Sequence, residues 1–224
     1  MSSQYHDHSG PSHKGEHSHV VAPQNAGSEY YANRVRAMEA LLVQKGICTK
    51  DEVLKVVAEL DTRSPADGAR VVARAWADPK FKSRLLAHPK AAVAELGYGN
   101  AKDLPDLVVV ENTDRVHHLV VCTLCSCYPR WLLGRPPDWY KSLPYRSRAV
   151  VDPRGVMKEF GLELDSGVEV RVLDSTADVR YLVLPKRPAG TEGFRQEELA
   201  KLVTRDSMIG VTEALSPRTA ATIG

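Results

Sequence analysis

The stretch that organises this chain reads Val121-Cys122-Thr123-Leu124-Cys125-Ser126-Cys127-Tyr128-Pro129. It holds three of the four cysteines, and the fourth, Cys48, lies far upstream. Three thiols cannot all pair off as disulfides, and Cys125 and Cys127 are too close in sequence for a relaxed disulfide. Because thiolates are metal ligands and one short loop can point three of them at one ion, the stretch predicts a metal site.

The C-x-x-C-x-C spacing bears on the kind of metal site. A structural zinc site uses four side-chain ligands and an iron–sulfur cluster uses four cysteines, so three cysteines fit both poorly. When Cys125 and Cys127 bind one ion, the backbone nitrogens of Ser126 and Cys127 lie against it. A strongly Lewis-acidic trivalent metal can displace the amide protons. Three sulfurs and two amide nitrogens leave one octahedral position open, which is typical of a catalytic site.

The sequence Cys-Thr-Leu-Cys-Ser-Cys at 122–127, followed by Tyr-Pro, resembles the metal-binding motif of nitrile hydratase α subunits and of the related thiocyanate hydrolase γ subunits. The resemblance begins near Tyr30 and continues through Leu133-Gly134, Pro136-Pro137, Trp139-Tyr140-Lys141, Tyr145-Arg146-Ser147-Arg148, the segment 185–191 and Val203-Thr204-Arg205-Asp206. In this family Thr at position 123 accompanies cobalt and Ser accompanies iron. The resemblance therefore implies one non-corrin cobalt(III) ion per chain rather than iron(III).

The resemblance also implies roles for the motif residues. The metal ligands would be Cys122, Cys125, Ser126 and Cys127, and the catalytic set would be Cys125, Ser126 and Cys127. By the same resemblance, Cys122 would stay a thiolate, Cys125 would become a sulfinic acid and Cys127 a sulfenic acid. The reaction would be hydration of a small nitrile to its amide, and the nucleophile is either an activated water or the sulfenate oxygen of Cys127.

Members of this family act as hetero-oligomers, so the resemblance implies partners. A β subunit would form an αβ heterodimer or an (αβ)2 heterotetramer with this chain. An activator or metallochaperone would insert the cobalt. The open metal face also needs hydrogen-bond donors that this sequence does not supply in an evident form.

The residues after the motif depart from the nitrile hydratase pattern. Arg130 and Trp131 stand where that family usually has Trp-Pro, and Arg135 replaces a later Leu. By analogy Arg130 and Trp131 lie at the substrate pocket. An arginine there resembles thiocyanate hydrolase, whose substrate is an anion, whereas the segment 206–211 and the pair His117-His118 resemble cobalt nitrile hydratases. A pocket arginine predicts either a carboxylate partner or a preference for a small anion.

A metal carrier is the alternative from another class of function. Residues 1–27 are polar and hold histidines at positions 6, 8, 13, 17 and 19, so we predict a disordered tail. Clustered imidazoles bind divalent ions, although the histidines of a solvated tail can also be incidental. Inert cobalt favours the enzyme, and exchangeable zinc or nickel favours the carrier.

The composition of the chain bears on which classes of function and which cellular location fit it. A chain of 224 residues with 43% apolar residues can bury a core, and its net charge of +2 gives no indication of nucleic-acid binding. No apolar run is long enough to span a membrane, and residues 1–20 lack the apolar core of a signal peptide. Together with a motif of reduced thiols, these features predict a cytoplasmic location.

The hydrophobic pattern predicts an α+β fold, in which an N-terminal helical arm precedes a mixed, layered α/β domain. The arm spans 28–105 and carries helices with candidate starts at Ser28, Thr49, Ser64 and Asp78, the last with a candidate break at Pro89. Cys48 is predicted to be a small buried hydrophobe of this arm.

The metal-binding domain is predicted over 106–215, and 216–224 form a flexible C-terminus. Its strands are predicted at 107–110, 119–121, 168–172 and 181–184, with helices at 153–160 and near 199–203. The strand at 119–121 leads directly into the cysteine loop, which places the metal at a strand end.

Other polar residues carry weaker signals. His117 and His118 lie on the strand that enters the loop, and because neighbours on a strand face opposite sides, at most one is expected to point inward. One interpretation is a proton shuttle near the metal. The one we favour is a core histidine beside an interface histidine. Arg146 and Arg148 are predicted to make surface or subunit-interface pairs.

Overall fold

The computed structural model describes residues 27–99, 104–125 and 127–219. Within these ranges the chain forms helices and short strands, so it has the predicted α+β fold. The predicted histidine-rich tail lies outside the described residues except for Gly27, and so do Ser126 and residues 220–224 of the predicted C-terminus. Of the helices in the described ranges, none combines the length and apolar character needed to cross a lipid bilayer.

Helices α1 and α2 open the described chain and expose many apolar side chains. Helix α1 spans Gly27–Gln44 and α2 spans Lys50–Asp61. The predicted helix start at Thr49 is present and forms a capping box, because the Thr49 hydroxyl accepts from the Glu52 N–H and the Thr49 N–H donates to the Glu52 carboxylate. The exposed apolar residues include Tyr30, Tyr31, Val35, Met38, Leu41, Leu42, Val43, Leu54, Val56 and Val57. Cys48 lies half-buried between the two helices.

Helices α3 to α5 belong to the hydrophobic core. Helix α3 spans Pro65–Ala77, α4 spans Pro79–Ala87 and α5 spans Pro89–Ala94. The predicted fourth helix is broken at His88, because Pro89 has no N–H to donate and instead begins a new helix. The core that these helices share with the strands includes Val71, Val72, Phe81, Leu85 and Val93. The predicted arm therefore consists of two exposed helices followed by three core helices.

Parallel strands form the centre of the fold. Strand β1 (Asp106–Glu111) pairs with β4 (Val179–Leu184), and β2 (Val116–Val121) pairs with β3 (Glu169–Asp174). Each predicted strand overlaps one of these elements, although β2 and β4 begin earlier than predicted and β3 is shifted toward the C-terminus. Strand β2 is buried along nearly its whole length, which is why its sequence does not alternate between apolar and polar residues.

The cysteine loop that follows β2, called the metal loop below, lies in the crossover from β2 to β3. Parallel strands need such a long connection. This crossover carries α6 (Arg130–Leu133), α7 (Asp138–Lys141), α8 (Leu143–Val151) and α9 (Pro153–Glu159). Val121 and Asp174 are partners in the strand register, so the loop leaves β2 at the edge where β3 ends. The helices α10 (Gln196–Ala200) and α11 (Arg205–Ile209) follow β4.

Candidate metal centre

Three thiol groups converge in the loop that follows β2. The Sγ atoms of Cys122 and Cys125 are 3.6 Å apart, and those of Cys125 and Cys127 are 3.1 Å apart. All three lie within 4.8 Å of one another, and no His, Asp or Glu in the described part of the chain joins the group. Cys122 and Cys127 are buried while Cys125 is exposed, so the cluster has one side open to solvent.

The end of strand β2 fixes the start of the loop. The Tyr145 hydroxyl on α8 donates to the Val120 carbonyl at 2.6 Å, and the Ser175 N–H donates to the Val121 carbonyl at 2.8 Å. The Cys125 N–H then donates to the Cys122 Sγ at 3.3 Å, which turns the loop back on itself. The first two thiols of the motif therefore already lie side by side in the folded chain.

Asp174 holds the first turn of the loop. One carboxylate oxygen accepts from the Thr123 N–H at 2.9 Å, and the other accepts from the Thr123 hydroxyl at 2.5 Å. Because Asp174 ends β3 where Val121 ends β2, the parallel pairing brings this carboxylate to the loop. Thr123, the residue that the resemblance links to cobalt, is thus anchored by both its backbone and its side chain.

Side chains from the crossover helices hold three loop carbonyls. Arg146 donates from Nε to the Cys122 carbonyl at 3.0 Å and from Nη2 to the Thr123 carbonyl at 2.6 Å. The buried Tyr140 hydroxyl donates to the Cys127 carbonyl at 2.9 Å. Arg146 thus holds the loop and does not form the predicted surface pair, while its pairing with a second subunit stays a prediction. Arg148 does form a surface ion pair, with Glu159 at 2.6 Å.

The environment of the cluster disfavours free thiolates. Burial raises the pKa of the Cys127 thiol to about 12, and hydrogen bonds with the Cys125 and Cys122 sulfurs act in the same direction. The Arg180 guanidinium opposes this rise in pKa. Three thiolates at these distances repel one another, so a highly charged cation is what would keep all three deprotonated. The donor set fits a strongly charged, thiol-binding metal ion.

The predicted backbone ligands are only partly described. Ser126 lies outside the described residues, so its amide ligation and its catalytic role stay predictions. Cys127 is described, and the bond from Tyr140 to its carbonyl fixes the peptide that follows it. The structure therefore brings together the three predicted sulfur ligands.

A cavity of about 550 Å³ opens beside the two downstream thiols. Its walls are formed by Cys125, Cys127, Tyr128, Arg130, Arg135, Pro136, Asp138, Lys141 and Arg180. Arg130, one of the two predicted pocket residues, is among them. Trp131, the other, is not, and its ring packs against Gly99, where an added Cβ would lie 2.6 Å from the ring. Neighbouring positions of helix α6 thus turn to different sides.

Arg130 lies near a carboxylate, one of the two outcomes that the sequence predicts. The partner is Asp61, the last residue of α2, whose Oδ1 is 3.6 Å from Arg130 Nη2. The same carboxylate accepts two hydrogen bonds from Arg135, at 2.9 and 2.7 Å. The hydrogen bonds from Arg135 lower the pKa of Asp61 further below its usual acidic value.

Both histidines of β2 are buried, which differs from the alternation expected of a strand. His117 is 3% exposed and His118 is 8% exposed. His117 Nε2 lies 2.8 Å from the Gly210 carbonyl and therefore carries the proton, while Nδ1 accepts from the Asn112 amide at 3.1 Å. Asn112 Oδ1 accepts from the His118 N–H and from its Nδ1. Burial lowers the pKa of both histidines, so both are neutral in this network.

Sequence reasoning found the thiols but missed side chains that hold the loop. Asp174 and Tyr140 are the clearest examples, together with Asp61 at the cavity. The available signals were weak: Asp174 follows a predicted strand, and Tyr140 lies within a segment that carries the family resemblance. Nothing local to either residue indicates that it contacts the cysteine loop.

An α+β fold in which a strand ends in a three-thiol loop beside a cavity defines a metal-binding protein whose site is open to small molecules. The family model described as "Nitrile hydratase, alpha chain" matches residues 29–212. The chain belongs to this family.

Individual relatives agree with this membership. The low-molecular weight cobalt-containing nitrile hydratase subunit alpha of Rhodococcus rhodochrous is 51% identical over 202 residues, which cover 90% of this chain and 97% of that protein. Thiocyanate hydrolase subunit gamma of Thiobacillus thioparus is 40% identical over 185 residues, covering 78% and 76%. A solved double mutant of the Fe-type nitrile hydratase from Comamonas testosteroni Ni1 has a TM-score of 0.77 at 42% identity, covering 84% of this chain and 92% of that chain.

Proposed function

We propose that this chain is the metal-bearing α subunit of a nitrile hydratase, a hydro-lyase that converts nitriles to amides with one non-corrin cobalt(III) ion per chain. The observation that carries the proposal is the convergence of three thiols within 4.8 Å, with two of them in the wall of a cavity of about 550 Å³. Family membership and the 51% identity to a cobalt-containing α subunit support it.

The ligands of the metal would be the Cys122, Cys125 and Cys127 sulfurs with the backbone nitrogens of Ser126 and Cys127. When bound, the metal supplies the Lewis acidity that polarises a C≡N bond. Cys122 is fully buried, whereas Cys125 and Cys127 line the cavity, where an oxidant can reach them. This difference supports oxidation of Cys125 and Cys127 and a remaining thiolate at Cys122. The assignment of the sulfinic acid to Cys125 and the sulfenic acid to Cys127 is what the family resemblance implies.

The chain's own residues would position the reacting groups. Oxygens on Cys125 and Cys127 would face the cavity and accept hydrogen bonds from a bound water. The nucleophile is then this water or the sulfenate oxygen of Cys127 itself. The bonds from Asp174, Arg146 and Tyr140 to the loop keep the sulfurs in place, so little reorganisation accompanies the reaction.

A second subunit is part of this proposal. The exposed apolar residues of α1 and α2 form a surface that a β subunit would cover, in an αβ heterodimer or an (αβ)2 heterotetramer. An activator or metallochaperone would insert the cobalt. We also propose a cytoplasmic location, a layered arrangement of the α/β part, and domain limits at 28–105 and 106–215.

Thiocyanate hydrolysis is the alternative that a specific observation favours. Arg130 lines the cavity, and a relative that is 40% identical is a thiocyanate hydrolase γ subunit. A guanidinium at the substrate would attract an anion, whereas it does little for a neutral nitrile. Comparing the two substrates on one preparation separates the two enzymes.

The test is to purify the full chain with the second subunit that accompanies it, and to measure metal content, sulfur oxidation and amide formation from acrylonitrile. We expect tightly held cobalt, and oxygen added to Cys125 and Cys127 but not to Cys122 in mass spectra. Alanine at any of these three positions should abolish cobalt retention, while Cys48→Ala, outside the cluster, should retain it. Exchangeable zinc or nickel without amide formation would instead indicate a metal carrier.

A further inference from the structure

The cavity beside the thiols is rich in positive charge. Four cationic side chains line it, namely Arg130, Arg135, Lys141 and Arg180. Asp138 is the carboxylate in the lining. Asp61, at the end of α2, contacts two of these cations, Arg130 and Arg135. Even with Asp61 counted, the cations outnumber the carboxylates by two.

The two carboxylates are engaged by two of the cations. Lys141 Nζ lies 3.0 Å from the Asp138 carboxylate. Arg135 forms a bidentate pair with Asp61, in which Nε donates to one carboxylate oxygen at 2.9 Å and Nη2 donates to the other at 2.7 Å. A bidentate pair of this kind is well oriented and among the stronger ion pairs that side chains form.

Arg130 and Arg180 are less well compensated. Arg130 Nη2 lies 3.6 Å from Asp61 Oδ1, the oxygen that already accepts from Arg135 Nε. Arg130 Nε is buried, and among the described residues it has no hydrogen-bond partner. Arg180 donates to the Thr176 and Val179 carbonyls, and within the described ranges no carboxylate is in ion-pair contact with it. These two guanidiniums are therefore available to an anion in the cavity.

We propose that Asp61 is a specificity-determining residue: by neutralising Arg135 and competing for Arg130, it limits the affinity of the cavity for substrates that carry a negative charge. The substrates concerned are small anions with a C≡N group, either thiocyanate or a nitrile that bears a carboxylate. The proposal rests on the proposed function, because it concerns the substrate of that same site. It makes the exposed helix α2 part of substrate selection.

The physical reason is competition for the same donors. An anionic group near Arg130 must share its guanidinium with the Asp61 carboxylate and is also repelled by it. Removing the charge of Asp61 frees the donors of Arg130 and Arg135 and removes the repulsion. A neutral nitrile has no charge to gain from either change, so the effect is specific to anions.

The experiment uses the assembled enzyme at matched cobalt content and low ionic strength. The kcat/KM values for acrylonitrile, cyanoacetate and thiocyanate are measured for the wild type and for Asp61→Asn, and the dissociation constants of the two anions are measured by calorimetry. We expect the anion-to-neutral ratio of kcat/KM to rise about threefold to fivefold in Asp61→Asn, the range of a surface ion pair. Arg180→Gln should lower the same ratio. A rise for cyanoacetate or for thiocyanate distinguishes the two kinds of anion.

Glu59→Gln is the matched control. It removes one negative charge from the same helix, two residues away, and the exposed Glu59 side chain makes no hydrogen bond or ion pair with the residues that the structure describes. An unchanged or lower ratio in Asp61→Asn overturns the proposal, and so does an equal rise in Glu59→Gln, which would indicate a general charge effect. If the wild type hydrates no nitrile, the proposed function fails, while calorimetry still decides whether Asp61 controls anion binding.

Discussion

The two carboxylate oxygens of Asp174 accept one hydrogen bond each from Thr123, from its N–H at 2.9 Å and from its hydroxyl at 2.5 Å. These residues are 51 positions apart and meet because β2 and β3 are parallel and in register. The contact fixes the residue that follows Cys122, the first of the predicted sulfur ligands. Asp174 is therefore a positioning residue for the metal loop.

Asp174→Ala should weaken metal retention without unfolding the chain. The substitution leaves the N–H and hydroxyl of Thr123 without their acceptor. Loss of a group that orients metal ligands typically lowers metal affinity about 10-fold to 100-fold. Cobalt content after dialysis against a chelator measures the effect. Asp178→Ala, at a neighbouring exposed carboxylate, is the control. Equal cobalt retention in the two variants would show that Asp174 does not position the loop.

The sequence was most informative where the interacting residues are close together. The three thiols lie within six residues, so their convergence follows from the motif itself. The β-branched runs predicted the strands, and the Ser64-Pro65 and Asp78-Pro79 pairs predicted helix starts that are present. In each of these cases the chemistry that decides the structure is local.

Contacts between distant residues were beyond sequence reasoning. Asp61 and Arg135 are 74 positions apart, and no local pattern connects them. Hydrophobic periodicity also predicts that a helix has an apolar face, but it does not indicate which part of the protein or of a partner covers that face. Helices α1 and α3 both show such a face, yet α1 is exposed and α3 is buried in the core. The buried His118 illustrates a third limit, because strand alternation fails when both sides of a strand are covered.

The exposed apolar row on α1 leads to a prediction about assembly. Val35 is 58% exposed and Leu42 is 41% exposed, and their seven-residue spacing puts them on one side of the helix. Val35→Lys combined with Leu42→Lys should weaken binding of the second subunit at least tenfold, because two cations would be placed in an apolar contact. Analytical ultracentrifugation of the mixed subunits measures this.

Ala40→Lys is the control for this prediction, since it adds a charge at an exposed residue on another side of α1. The thermal unfolding temperature of the separate chain should be nearly the same in all variants, because the substituted side chains are outside the core. A double variant that still binds the second subunit with wild-type affinity would show that α1 does not form the interface.

The buried histidines predict a loss of stability in mild acid. Burial holds the pKa of His117 and His118 below the usual 6.5, so between these values the unfolded chain binds more protons than the folded one. Stability should therefore fall as pH decreases from about 7 toward the lowered values. The neighbouring charges oppose one another: Glu213 raises and Arg154 lowers the pKa of His117, and Glu169 raises and Arg171 lowers that of His118.

Thermal unfolding at about pH 7.5 and about pH 5.5 tests this prediction, because these values bracket the pKa of an ordinary histidine. His117→Gln can still donate to the Gly210 carbonyl but cannot titrate, so its unfolding temperature should fall less between the two conditions. His88→Gln, at an exposed histidine, should behave like the wild type. If His117→Gln loses as much stability in acid as the wild type, His117 does not contribute to the pH dependence.

Arg130→Trp should raise the ratio of neutral nitrile turnover to thiocyanate turnover. The substitution restores the usual residue of the nitrile hydratase pattern and removes a cation from the cavity wall beside Cys127. Steady-state kinetics on acrylonitrile and thiocyanate, at matched cobalt content, should show a rise of about threefold or more, since even a partly screened charge contributes this much. Arg115→Trp, at an exposed arginine in the turn before β2, is the control. An unchanged ratio would mean that Arg130 does not contact the substrate.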